Sequence, residues 1–336
     1  MKKLLVLVLA LALVFAFAAC GQEAPAEPEA GGEPAAAAPD QPALDYPTQN
    51  INLIIPWNAG GATDLLARLL ADELSKSMGV SVICENKTGG GGAIGHNAGS
   101  SADPDGYTIT MATTEASISH LMGLADYSFE NFRPVCLIAT GPSALAVPAD
   151  SQFNTLDELI QYSKDNPATL MMSAQASGGI WNLAANAMLS ISGADIELCP
   201  YDGGAESITA LLGGHVDCVS AAFAEILPYV QSGDLKFLAV SADERCAAYP
   251  DAPTYAEQGY EISMGAWWGI MVPLDTPDEV VDLLTAQLEA AVSSESVVAF
   301  LAERGYTSDY KDAAAFSEYL AEKDAFFRDI IETIGL

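Results

Sequence analysis

Four short segments of this chain concentrate glycine beside hydroxyl, amide or acidic side chains. They are Trp57-Asn58-Ala59-Gly60-Gly61-Ala62-Thr63-Asp64, Thr113-Thr114-Glu115-Ala116-Ser117, Ala174-Gln175-Ala176-Ser177-Gly178-Gly179 and Tyr201-Asp202-Gly203-Gly204-Ala205-Glu206. Glycine lets the backbone approach a ligand closely, and the free N–H groups at a helix start attract negative charge. Thr63 or Asp64 can cap the helix that follows the first segment. Groups of this kind hold a solute; they do not break bonds. The catalytic alternatives lack their defining residues. No Gly-Lys-Ser/Thr follows Gly89 to Gly92, which removes a phosphate loop, and no Gly-x-Ser-x-Gly elbow is present. Asp103-Pro104-Asp105-Gly106 reads as a turn. His96, His120 and His215 have no metal-ligand spacing with any cysteine. The chain is expected to be a binding protein with no cofactor, no metal and no catalytic residue.

These segments need a scaffold that brings them together. Ile51–Ile55 reads as a strand and 63–78 as a helix, with Leu66, Leu69, Leu70 and Leu74 on one face. Strands are expected at 80–84, 107–112, 170–173, 196–199, 216–220 and 237–240, most of them followed by a helix-like stretch. This alternation predicts an α/β fold with largely parallel sheets, whose ligands sit at the carboxyl ends of strands. A break is expected near Pro142–Pro148. A long strand over 262–272, containing Trp267 and Trp268, leads into three helices beginning near Pro277, Ser294 and Asp312. The chain would then cross twice between two lobes, 46–142 plus 266–336 and 143–265, with a cleft between them. A glycine-rich strand–helix turn taken alone is more often only a tight connection. Two such turns on each side of a cleft favour a shared site.

The ends and the charge limit the function further. Met1-Lys2-Lys3 precedes an apolar run from Leu4 to Ala19, then Cys20-Gly21. This is the pattern of a secretory signal, residues 1–19, with Cys20 positioned for lipidation as in bacterial lipoproteins. The run is shorter than the ~20 residues a span requires. Residues 20–45, mostly Ala, Pro, Glu and Gly, lack the apolar surface to offset ordering entropy and read as a tether. The 13 basic residues stand against 45 acidic ones; losing Lys2 and Lys3 leaves 11 against 45, a net charge of −34. Such a chain has few groups for phosphate contacts, which argues against nucleic acid. Cys84, Cys136, Cys199, Cys218 and Cys246 are odd in number and unpaired in spacing, and are expected to be buried and reduced.

Ile54-Ile55-Pro56-Trp57-Asn58-Ala59-Gly60-Gly61-Ala62-Thr63-Asp64, followed by Ala67-Arg68, resembles the opening signature of the tripartite tricarboxylate transporter substrate-binding proteins, the Bug receptors. Glu85-Asn86-Lys87 with Gly89 to Gly92, Pro104-Asp105-Gly106-Tyr107-Thr108, Pro200-Tyr201 with Gly203-Gly204, Leu211-Leu212-Gly213-Gly214 and Ala239-Val240-Ser241 extend the resemblance in order. It implies a two-lobed type II periplasmic-binding fold with two hinge-crossing strands, closing on a small organic carboxylate or amino acid. It also implies a large and a small integral membrane subunit as partners, outside the cell membrane. The alternative readings are a ligand-occupancy receptor for a two-component sensor, which would have the same fold and site, and a secreted α/β hydrolase, which would need a nucleophile with a base.

The ligand-binding residues expected on these grounds are Trp57, Asn58, Ala59, Gly60, Gly61, Ala62 and Asp64 in the first loop, and Thr113, Thr114 and Glu115 in the second. Ser177, Gly178 and Gly179 follow in the third, and Tyr201, Gly203, Gly204 and Glu206 in the fourth. None of the four loops contains Lys or Arg. Asp202 stands where many relatives have Lys. Glu115, Asp202 and Glu206 leave two readings open: acceptance of a ligand ammonium, or helix capping and solvent exposure. The second is favoured.

Overall fold

Short apolar runs set the strands, and the residues that end them set the helices. In the computed structural model, which describes residues 44–175, 178–201 and 203–335, β1 (Ile51–Ile55) leads into α1 (Ala62–Met78). β2 (Val82–Asn86), α2 (Ala93–Ser100), β3 (Thr108–Thr113) and the one-turn α3 (Glu115–Ile118) complete a first series. β1 pairs in parallel with both β2 and β3. α1 buries Leu66, Leu70 and Leu74 on one stripe and ends at Gly79 in the left-handed conformation. The signal segment, Cys20, Ser177 and Asp202 lie outside the described residues, as does the tether up to residue 43.

A second series follows a 17-residue strand, β4 (Phe132–Pro148). α4 (Leu156–Asp165) starts on Thr155, whose hydroxyl accepts the Glu158 N–H. Then come β5 (Met171–Gln175), α5 (Ile180–Ser192), β6 (Glu197–Tyr201), α6 (Gly204–Leu212), β7 (Cys218–Ala222), α7 (Phe223–Ser232) and β8 (Leu235–Val240). β5 pairs in parallel with β6 and β7. β9 (Gly265–Pro273) precedes α8 (Asp278–Val292) and α9 (Glu295–Glu303), and β10 (Thr307–Lys311) precedes α10 (Ala313–Ile334).

Where a break is expected near Pro142–Pro148, the strand is continuous and changes partners. The first part of β4 pairs antiparallel with β9 and β10, the second part with β7 and β8. The switch falls between Pro142, opposite Gly265, and Ser143, opposite Ala222. The returning chain is tied to the same place: Ser143 N–H donates to Met264 O, and Met264 N–H to the Ser241 hydroxyl. Backbones are in contact here, since a methyl on Gly265 would overlap the Gly141 carbonyl.

The sheet is mixed, contrary to the largely parallel one expected. Four strand pairings are parallel, but all five made by β4 and β3 with β7, β8, β9 and β10 are antiparallel. Strand–helix alternation reports the parallel units and is silent on strands that return without a crossover helix. β10 (TSDYK) was also not expected, because its residues carry no apolar alternation. Cys136 and Cys218 are buried, the other three cysteines outside residues 1–43 are partly buried, and all five are free thiols. Among the described residues no helix is long and apolar enough to cross a membrane.

Candidate functional site

The carboxyl ends of β1, β3, β5 and β7 open onto one cavity of about 380 Å3. The starts of α1, α5, α6 and α7 reach it, through residues such as Ala62, Ile180, Gly204 and Glu225. The first four N–H groups of an α-helix have no partner within the helix, so the wall is rich in oriented donors. β9 supplies the floor through Ala266 and Trp268, and Tyr306 closes one side.

The first loop is held from behind. Gly60 adopts φ +84°, a conformation glycine accepts without strain, and its N–H donates to Asp64 Oδ2 at 2.9 Å. Asp64 also accepts from Arg68 and from Asn86 Nδ2, and that same Asn86 amide reaches Trp57 O. Burial alone would raise the Asp64 carboxyl, but the bonds from Arg68, Gly60 and Asn86 outweigh it and hold the group below its ordinary value. Asp64 therefore braces the loop and does not line the cavity. Replacing Asp64 by Ala leaves the Gly60 N–H without its acceptor and takes one acceptor each from the Asn86 amide and the Arg68 guanidinium, and should cost about 2–3 kcal/mol. Urea unfolding of the variant measures it; an unchanged midpoint would mean that the loop is held by something else.

A chain of hydrogen bonds joins the first loop to the third. Trp57 Nε1 donates to Thr113 Oγ1 at 3.2 Å, and Thr113 Oγ1 donates to Glu115 Oε2 at 2.6 Å. Glu115 Oε1 accepts the Ile180 N–H at 3.4 Å, at the start of α5. Desolvation pushes the Glu115 carboxyl up, and the three hydrogen bonds it accepts work against that rise. Behind this chain, His96 is fully buried and held neutral, its pKa driven down to about 4 by desolvation. Its Nε2 accepts the Thr113 N–H and its Nδ1 lies 3.0 Å from Gly92 O, so it positions Thr113. Gly89 to Gly92 all have positive φ and wrap the start of α2, where a methyl on Gly92 would crowd His96 and Trp57.

Of the residues expected in the site, Trp57, Asn58, Ala59, Gly60, Gly61, Ala62, Thr113, Glu115, Gly203, Gly204 and Glu206 line the cavity. Asp64, Thr114, Gly178, Gly179 and Tyr201 do not. Thr114 is fully buried, with its hydroxyl accepting the Trp267 N–H at 2.8 Å. Gly178 packs against Leu124, and Gly179 caps α5 against Gln175. Tyr201 is half-buried at the end of β6 and packs with Cys199 on the neighbouring core.

Several lining residues were missed, chiefly Gln175, Trp181, Glu225, Trp268 and Tyr306. Glu225 had a usable signal: β7 passes directly into α7, so a parallel sheet places the first turn of α7 beside the other loops. No glycine marked that junction. Burial, and then the nearby Glu206 charge, push the Glu225 carboxyl up to about 7. Trp268 Nε1 donates to Thr63 Oγ1 at 2.9 Å, which ties the floor to the start of α1. Among the described residues the cavity is lined by three glutamates and by no Lys, Arg or His.

The model of the tripartite tricarboxylate transporter family receptor matches residues 66–336, beginning just past the first loop. The protein BugT of Bordetella pertussis is 32% identical over 267 residues, which is 78% of this chain and 82% of that protein. A TctC solute-binding protein from Polaromonas superposes with a TM-score of 0.72 at 32% identity, over 85% of this chain and 99% of that one. Rpa4515 of R. palustris, solved with adipate, superposes with a TM-score of 0.80 at 27% identity, over 87% and 99%. The architecture is the expected α/β, two-lobed type II periplasmic-binding fold of extracytoplasmic receptors. With a family match over residues 66–336, a relative 32% identical over 78% of the chain, and the fold of those receptors, the chain belongs to the tripartite tricarboxylate transporter receptor family.

Proposed function

We propose that this chain is a lipoprotein, anchored through Cys20 to the outer face of the cell membrane, that captures a small organic carboxylate or amino acid. The two lobes, 46–142 plus 266–336 and 143–265, close on the solute, remove it from water, and present it to a large and a small membrane subunit of a tripartite tricarboxylate-type transporter. The chain itself does no chemistry on the solute.

The observation that carries this reading is the convergence of helix starts from both strand series on one cavity of about 380 Å3. Oriented N–H groups favour a carboxylate there without a basic side chain. The adipate held by Rpa4515 supports the solute class.

A panel of di- and tricarboxylates and amino acids tests it by thermal unfolding and by tryptophan emission. At roughly 100-fold over its dissociation constant a true ligand adds about 2.7 kcal/mol of stability. Trp57, Trp181 and Trp268 line the cavity, so occupancy should also shift the emission. A panel in which no compound moves either signal would overturn the proposal.

A further inference from the structure

The helix starts around the cavity are unequally used. α5 already gives its Ile180 N–H to the Glu115 carboxylate. α6 carries Glu206 in its first turn, and the Glu225 carboxylate lies directly against Gly204, where an added methyl would overlap Oε2. α1 is the 17-residue exception: its one first-turn acid, Asp64, faces Arg68, Asn86 and Gly60, which leaves the start of α1 open to the cavity. The start of α1 thus attracts an anion, and the wall formed by the starts of α6 and α7 bears the protein's own Glu206 and Glu225.

Two acceptors on that wall lack donors. Glu225 Oε2 and Gln175 Oε1 are both buried, and neither has a hydrogen-bond partner among the described residues. A buried acceptor without a partner is costly, and each of these belongs to a residue that lines the cavity. A second carboxylate on the ligand would add acceptors and negative charge where both are already in excess. A protonated amine would bring three donors and a positive charge.

We propose that the site selects a ligand with one carboxylate, held at the start of α1, and one protonated amine, held by Glu225 with Glu206 and Gln175. It therefore discriminates against compounds with a carboxylate at both ends. This deepens the solute-capture reading and rests on it, adding Glu225 and Gln175 as the residues that set specificity. Glu115, with both oxygens in hydrogen bonds, serves to join the loops.

Calorimetric titration with matched pairs tests the proposal: malonate against 3-aminopropanoate, succinate against 4-aminobutanoate, glutarate against 5-aminopentanoate and adipate against 6-aminohexanoate. Within a pair only one terminal group changes. In at least one pair the amino acid should bind tenfold or more tightly than its partner. Glu225→Gln should weaken that amino acid at least tenfold and leave the dicarboxylate unchanged or tighter, with thermal unfolding confirming that the variant is folded. Dicarboxylates binding more tightly in every pair, or an amino acid indifferent to Glu225→Gln, would overturn the inference while leaving carboxylate capture intact. If no member of any pair binds, and the wider panel is also silent, the capture reading fails and takes this inference with it.

Discussion

Glu225→Gln should make the ligand-free protein more stable at pH 8, by roughly 2–3 kcal/mol, with the gain shrinking as the pH falls towards 5. An ordinary glutamate gives up its proton near pH 4.5, whereas desolvation and then the charge of Glu206 hold Glu225 to about 7. Between those values the folded chain keeps a proton that the unfolded chain has released. Stability therefore declines as the pH rises through this window, and the full cost is present above it. At ~1.4 kcal/mol per pH unit the limit is about 3.4 kcal/mol. The side chain keeps some contact with solvent, which lowers the figure. Glutamine has the same shape and no charge to desolvate, so the variant should lose this slope. In thermal terms the gain at pH 8 is about 5 °C for a domain of this size. Parallel pH profiles of wild type and variant would refute the argument. A carboxylate retained at a stability cost in a solute cavity is what a binding site, and not a core, would keep.

Trp268→Ala should be the most damaging single change to the cavity, costing about 3–4 kcal/mol. The indole is 4% exposed, packs at a tilt with its ring centroid 4.7 Å from that of Tyr306, and lies against Gly141, where β4 approaches its switch of partners. Its N–H is the donor for Thr63 Oγ1, so the change also frees the start of α1. Trp268→Phe separates the two roles. It keeps most of the ring packing but leaves the Thr63 hydroxyl without its donor, and should cost about 1 kcal/mol. Urea unfolding resolves the two variants. Equal losses would show that packing contributes little beyond the hydrogen bond, and no loss in either would show that the floor is held by β4 and β9 alone.

The elements most legible in the sequence are those built from local rules. Leu66, Leu70 and Leu74 announce α1, Ser294 and Asp312 cap α9 and α10 at the positions expected, and Trp267-Trp268 mark β9. Of the four candidate loops, the first brings Trp57 to Ala62 to the cavity, the second brings Thr113 and Glu115, and the fourth brings Gly203, Gly204 and Glu206. In each of these a strand end and a helix start are neighbours in sequence, so the chemistry is written locally.

What the sequence alone determined is this series of strand–helix units, the glycine-rich loops between them, and the acidic, lysine-poor character of those loops. Hydrophobic period, caps and turn residues act over a few positions and can be read without a partner. Only the tertiary structure decided which way each side chain of a loop faces. Asp64 and Thr114 sit beside lining residues but turn to Gly60, Arg68 and the Trp267 N–H. Glu225, Trp268 and Tyr306 come from positions far apart in the chain to one cavity. Their meeting depends on antiparallel returns by β4 and β9, whose pairing partners lie more than 100 residues away, and no short-range pattern encodes a contact of that span.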